Sequence, residues 1–178
     1  MMASRQTAMA PAPDAAPAAA PRSLAPDRLE RTLGWLALVM LGFILAAVAR
    51  GRAEWAQIPA VVWLHLATIV VALVLTPVLL WRPRGTAAHR QLGYVWSGAM
   101  LLTAIDSMFL TGRTGGFSPI HILSVATIVL VPVLVVTARR HNVARHRRTV
   151  RGMIIGALLI AGFFTFPFNR LLGHWLLG

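Results

Sequence analysis

Five long apolar runs divide the chain, and short polar segments separate them. The runs cover residues 32–49, 58–81, 92–111, 119–138 and 152–168. A helix that crosses the hydrocarbon core of a bilayer needs about 20 residues, so each run is long enough to span a membrane. The pattern therefore predicts an all-α integral membrane protein with five transmembrane helices.

The composition agrees with the membrane class. The chain has 178 residues, of which 57% are hydrophobic and 12% are charged, and its mean hydropathy is +0.70. Residues 1–31 form an Ala/Pro-rich segment that cannot bury apolar surface, so we expect a disordered tail. No short apolar segment with a cleavage site precedes the first run, which is typical of an uncleaved membrane anchor.

Positive charge is distributed unevenly between the two sides of the predicted helices. All 17 basic residues are arginines, and 13 of them lie in the tail and in the second and fourth loops. Cytoplasmic loops carry the excess of positive charge, so we expect a bacterial inner-membrane protein with a cytoplasmic N-terminus and a periplasmic C-terminus. Because the arginines lie in short loops, they favour contact with the lipid bilayer rather than with nucleic acid.

Two stretches of the chain resemble each other. One begins at His65 and the other at His121, and each continues through an apolar helix, a Pro-Val-Leu triplet and arginines to a second histidine, His89 or His146. This repeat predicts two hairpins, at residues 58–111 and 119–170. We expect them to form a four-helix transmembrane bundle within residues 58–178, with residues 32–57 forming the first helix and an outer loop.

Histidine is rare inside membranes because burying a polar ring costs free energy, so it indicates a functional site there. A twofold axis between the hairpins relates His65 to His121 and His89 to His146. Two imidazoles that face each other across a bundle suit the axial positions of a haem iron. For His89 and His146, contact with lipid phosphates through the His-Arg motifs is an equal alternative.

Asp106 is the one acidic residue within an apolar run, and such a group needs a partner or a proton. It could pair with Arg113 or Arg170, orient a ligating histidine, or transfer protons beside a quinone. A further alternative makes His65, Asp106 and His121 a zinc or non-haem iron site.

The paired histidines resemble those of diheme transmembrane cytochromes b of the ascorbate-ferrireductase type. In that superfamily, helices two and four ligate one haem and helices three and five ligate the other. The resemblance covers the four repeated helices. It implies haem b between His65 and His121 and between His89 and His146.

The local sequence is more similar to a family of bacterial multi-pass membrane proteins of unknown function. The shared motifs are His-Arg-x-x-Gly-Tyr, beginning at His89, and a late His-Arg-Arg, beginning at His146. Thr149-Val150 stands here where the family usually has Trp-Met. This resemblance implies a fold and a location, but no chemistry.

The absence of cysteine excludes disulfides, thiolate ligands and covalent haem attachment. No hydrolase or nucleotide-binding motif is present. Our hypothesis is a cytochrome-b-like transmembrane electron carrier that exchanges electrons with quinone or another redox partner. The alternative is a non-catalytic accessory or assembly subunit without a cofactor. The sequence leaves open whether the protein is an enzyme and what its oligomeric state is.

Overall fold

The computed structural model describes residues 25–110, 120–167 and 170–178, and all regular structure in these ranges is helical. Most of residues 1–31, the ends of several predicted runs and Arg113 lie outside them. Four long helices come first: α1 (Arg28–Arg50), α2 (Ala60–Trp81), α3 (Ala87–Ser107) and α4 (Ile120–Arg139). A 3-10 segment follows α1 (Gly51–Gln57). The chain ends with α5 (Val143–Met153), a π-helical segment (Ile154–Ile160), α6 (Ala161–Phe163) and α7 (Leu171–Leu177).

Three of the described helices are long and apolar enough to cross a membrane. They are Arg28–Gln57, which joins α1 to the 3-10 segment, together with α2 and α4. The all-helical class is thus confirmed, and these three helices are compatible with a membrane protein, whereas the count of five spans is not confirmed. The remaining two runs begin inside more polar helices. The first two turns of α3 contain His89, Arg90 and Gln91, and α5 contains four arginines among its 11 residues.

The first helix begins at Arg28, four residues before the predicted start of the first run. Asp27 caps it: its side chain accepts a hydrogen bond from the backbone N–H of Glu30, and the Glu30 carboxylate accepts one from the backbone N–H of Asp27. This reciprocal pair is a capping box, which satisfies two donors of the first turn. The last residues of the predicted tail are therefore part of α1.

The helices pack around one core, and α1 belongs to it. α2 lies between α1 and α3, α3 packs on α4, and α4 packs on α5, while the π-helical segment contacts α1, α2 and α4. Leu33, Ala37 and Ile44 of α1 are buried in the same cluster as Leu73 and Met100. The arrangement differs from a bundle built by the last four helices alone, because the apolar face of α1 also needs a partner.

Short turns bring most of the basic residues to one end of the bundle. Gly85 (φ 81°) lies in the turn between α2 and α3, and His141 (φ 53°) lies in the turn between α4 and α5. Positive φ favours glycine, because a side chain crowds the backbone there. This end contains the start of α1, the turn between α2 and α3, and the turn between α4 and α5. We call it the arginine-rich end.

Candidate functional site

A large cavity of about 600 Å³ opens at the arginine-rich end. Small-molecule and cofactor pockets occupy roughly 300–1,000 Å³. Both His89 and His146 line it, as do Gly93 and Ser97, which follow His89 at helical spacing on α3. The apolar part of its wall is formed by Leu79, Leu80, Trp96, Leu134, Val150 and Ile154. The structure thus brings together the two histidines of the second predicted pair.

His89 lies in the first turn of α3, where its backbone N–H donates to the hydroxyl of the capping residue Thr86 at 3.1 Å. Its Nδ1 is buried and has no hydrogen-bond partner among the residues that the structure describes. Buried polar atoms are rarely left unsatisfied, and each exception needs an explanation such as a missing ligand. The hydroxyl of Ser97, two turns further along α3, is also buried without a hydrogen-bond partner among the described residues.

His146 has one ring nitrogen already engaged. Its Nδ1 lies 3.2 Å from the backbone carbonyl oxygen of Leu134 on α4. A carbonyl oxygen only accepts hydrogen bonds, so Nδ1 carries the proton and the lone pair of the neutral ring is on Nε2. Ligating histidines are commonly oriented by such a bond from the nitrogen that does not bind the metal.

Both rings favour the neutral form. Burial lowers the pKa of His89, and the neighbouring His146 and Arg84 lower it further. Burial also lowers the pKa of His146, although its bond to Leu134 opposes the shift in part. A neutral imidazole is the form that ligates iron, so the pair is suited to that role at neutral pH.

A cluster of charges closes one side of the large cavity. Glu30 is 1% exposed, and its carboxylate accepts hydrogen bonds from Arg84, from Arg147 at 3.0 Å and from Arg151 at 2.9 Å. Asp27 joins the cluster through Arg147 and Arg151. Sequence reasoning missed Glu30 because it lies in the predicted disordered tail. The spacing Asp27-x-x-Glu30 was the available signal, since it is typical of a helix start.

The first predicted pair has a different environment at the opposite end of the bundle. Nδ1 of His65 on α2 donates to Oδ1 of Asp106 on α3 at 2.6 Å. Asp106 is 5% exposed, and its other oxygen lies 3.5 Å from the hydroxyl of Thr68, to which Thr103 donates at 2.8 Å. Asp106 therefore pairs with His65. Of the two arginines proposed as partners, Arg170 makes no described ion pair and Arg113 lies outside the described residues.

A small cavity of about 160 Å³ adjoins this polar group. His65 lines it, together with Ser107 and Ser124, whose hydroxyls are 2.7 Å apart. His121 is buried at the start of α4 but is not part of the cavity wall. The volume lies below the roughly 300–1,000 Å³ of ordinary cofactor pockets. This end therefore has no described space for a macrocycle.

The alternative of a metal held by His65, Asp106 and His121 gains no support. Within the described ranges, which include these three residues, no three His, Asp or Glu side chains lie close enough together to hold a metal ion. The two histidines and the carboxylate come from three helices, so their spacing in sequence could not test the arrangement.

Comparisons with known protein families, with curated proteins and with solved structures found no match to this chain.

Proposed function

We propose that this chain is a multi-pass membrane protein that binds haem b in the large cavity, between His89 and His146, and carries electrons. The observation that carries the proposal is the coincidence of three features at one place. They are a cavity of about 600 Å³, a buried His89 Nδ1 without a described partner, and a His146 whose ring is oriented by Leu134.

The donor set of the cavity fits this group. Two neutral imidazoles are the axial ligands of many b-type haems, and the apolar wall suits a porphyrin face. Arg84 and Arg139 also line the cavity, and a guanidinium pairs well with a carboxylate such as a haem propionate. Gly93, one turn after His89, keeps that face of α3 free of a side chain.

A bound haem would supply reversible one-electron transfer. The residues of the chain would orient the haem and exclude water from it. The Leu134 carbonyl fixes the proton of His146 on Nδ1, which makes Nε2 the better donor to a metal. The apolar wall would exclude water, and the arginines would pair with the propionates and so position the group. Quinone or a protein redox partner would exchange electrons with the site.

The proposal includes the membrane arrangement. The apolar part of α3, from residue 92, and the helical stretch from residue 152 to α6 cross the bilayer beside the three apolar helices, which gives five spans. The arginine-rich end then faces the cytoplasm, as the excess of positive charge in cytoplasmic loops requires, and the C-terminus lies in the periplasm of a bacterial inner membrane. The recurrence of a proline inside α2 and α4, Pro77 and Pro132, supports a duplicated hairpin.

The proposal places one haem at His89 and His146 and none at His65 and His121. The sequence favoured the His65 pair, because those histidines have apolar neighbours on both sides. The small cavity at His65 and the hydrogen bond from His65 to Asp106 argue for a different use of that end.

The test is a reduced-minus-oxidised visible spectrum of the protein purified in detergent from haem-replete cells. We expect the sharp bands of a bis-histidine haem b, and we expect His89→Ala and His146→Ala each to abolish them. His174→Ala is the control, since this exposed histidine lies at the opposite end, and it should retain the spectrum. A colourless wild-type protein would refute haem binding and leave the accessory-subunit alternative.

A further inference from the structure

We propose that the small cavity binds the hydroxylated ring of a phenol or hydroquinone, whose hydroxyl donates a hydrogen bond to Nε2 of His65. This inference goes beyond the haem site and does not depend on it, because it rests on residues at the other end of the bundle. Three observations carry it: the size of the cavity, the orientation of the His65 ring, and the hydroxyl groups in the wall.

The volume matches one six-membered ring. The cavity measures about 160 Å³, and an apolar protein cavity of about 150 Å³ is known to hold one benzene molecule. Larger ligands would have to leave their remaining atoms outside, as a hydroquinone with a lipid tail would do. Apolar side chains form most of the wall: Leu66, Ile69, Met100, Ala104, Ile120 and Leu123.

His65 lines this cavity, and its ring has one nitrogen that can accept a hydrogen bond. Because Nδ1 donates to Asp106 at 2.6 Å, the lone pair of the neutral ring is on Nε2, at the other side of the imidazole. A buried carboxylate that holds a histidine in this way fixes its tautomer. His65 can therefore accept a hydrogen bond from an acidic hydroxyl such as that of a phenol.

The wall also contains partners for a second hydroxyl. Ser107 on α3 and Ser124 on α4 form a 2.7 Å hydrogen bond between the helices, and Thr127 and Thr165 line the same space. A hydroquinone carries hydroxyls at opposite ends of its ring. One ligand hydroxyl could bind His65 while the other binds the serine and threonine hydroxyls of the wall. Phenol could make only the contact with His65.

The experiment is NMR of the full-length protein in detergent, labelled with ¹⁵N in histidine and kept reduced so that the hydroquinone does not oxidise. The His65 resonances are assigned by their loss in His65→Phe. We expect phenol to shift the His65 Nε2 resonance saturably, with an affinity about tenfold higher than that of benzene, which corresponds to one net hydrogen bond. Hydroquinone should bind at least as tightly as phenol.

Two variants sharpen the test. Asp106→Asn should weaken the binding of phenol and leave that of benzene nearly unchanged, while His174→Phe, at an exposed histidine near the same end, should change neither. Equal affinities for phenol and benzene in the wild-type protein, or an unmoved His65 resonance, would overturn the proposal without reference to any variant. The visible spectrum of His65→Phe separates the two proposals, because a haem held by His89 and His146 should survive that substitution.

Discussion

At the scale of single residues, Glu30 is held by contacts with several parts of the chain. It is almost completely buried, and three guanidinium groups from two other parts of the chain converge on it. Removing one partner from a buried ionic group leaves the remaining charges uncompensated, which costs more than the group contributes when it is paired. Glu30 thereby ties the start of α1 to the α2–α3 turn and to α5.

We expect Glu30→Gln to lower the free energy of unfolding by about 3–5 kcal/mol, the range found when one partner of a buried ion pair is removed. Denaturant unfolding in detergent, followed by circular dichroism, measures the change. Glu54→Gln is the matched control. Glu54 is about half exposed and lies 3.7 Å from His174, and glutamine can still accept the hydrogen bond from Trp175, so this change should cost less than about 1 kcal/mol. Equal losses would show that burial of the Glu30 cluster is not what matters.

The repeat in the sequence predicted four histidines as candidate ligands and favoured the pair His65 and His121, but it could not show which contacts each ring makes. Spacing places residues on a helix and gives their order along it. It does not show which ring nitrogen meets a carbonyl, as in His146, or which meets a carboxylate, as in His65. Those contacts join residues 12 and 41 positions apart, so only the packing of the helices creates them.

At the scale of elements, α1 shows how one small residue allows two helices to approach. A Cβ atom at Gly34 would lie only 2.6 Å from the indole ring of Trp81, at the end of α2. The same atom at Gly42, on the same helix, would meet nothing within 4 Å. Both glycines lie within α1, but only Gly34 lies against a side chain of another helix.

This difference gives a matched pair of substitutions. Gly34→Ala should destabilise the protein by about 1–3 kcal/mol, because the Trp81 ring has to move out of a packed position. Gly42→Ala should be neutral or stabilise by up to about 1 kcal/mol, because alanine has the higher helix propensity. Unfolding of both variants in the same detergent, followed by tryptophan fluorescence, measures the two changes in the free energy of unfolding. A stabilising Gly34→Ala would contradict the observed packing of α1 on α2.

The π-helical segment Ile154–Ile160 lies between the two cavities. Ile154 lines the large cavity and Ala157 lines the small one. π-helical turns are rare and occur frequently at functional sites. The sequence shows only an apolar run here, because a change of hydrogen-bond pattern within a helix leaves no mark in the hydropathy.

At the scale of the whole molecule, the proposed five spans place the two ends of the chain on opposite sides of the membrane. The chain contains no cysteine, so single cysteines can be introduced without background. We expect Ser4→Cys and Ala144→Cys to react with a membrane-impermeant maleimide only after the cells are permeabilised, because both lie in the arginine-rich segments. Ala53→Cys and Gly178→Cys should react in intact spheroplasts. Labelling of Ser4→Cys and Gly178→Cys from the same side would require an even number of spans.

The sequence by itself determined the helical character, the presence of apolar segments long enough to cross a membrane, and the gathering of basic residues at one end. These properties follow from hydropathy and from charge near the helix ends, which act locally along the chain. The tertiary structure decided the rest: it included α1 in the core, buried Glu30 among three arginines, and paired His65 with Asp106. Each of these depends on which helices are in contact and at which level along the bundle. Such contacts arise between residues far apart in the sequence.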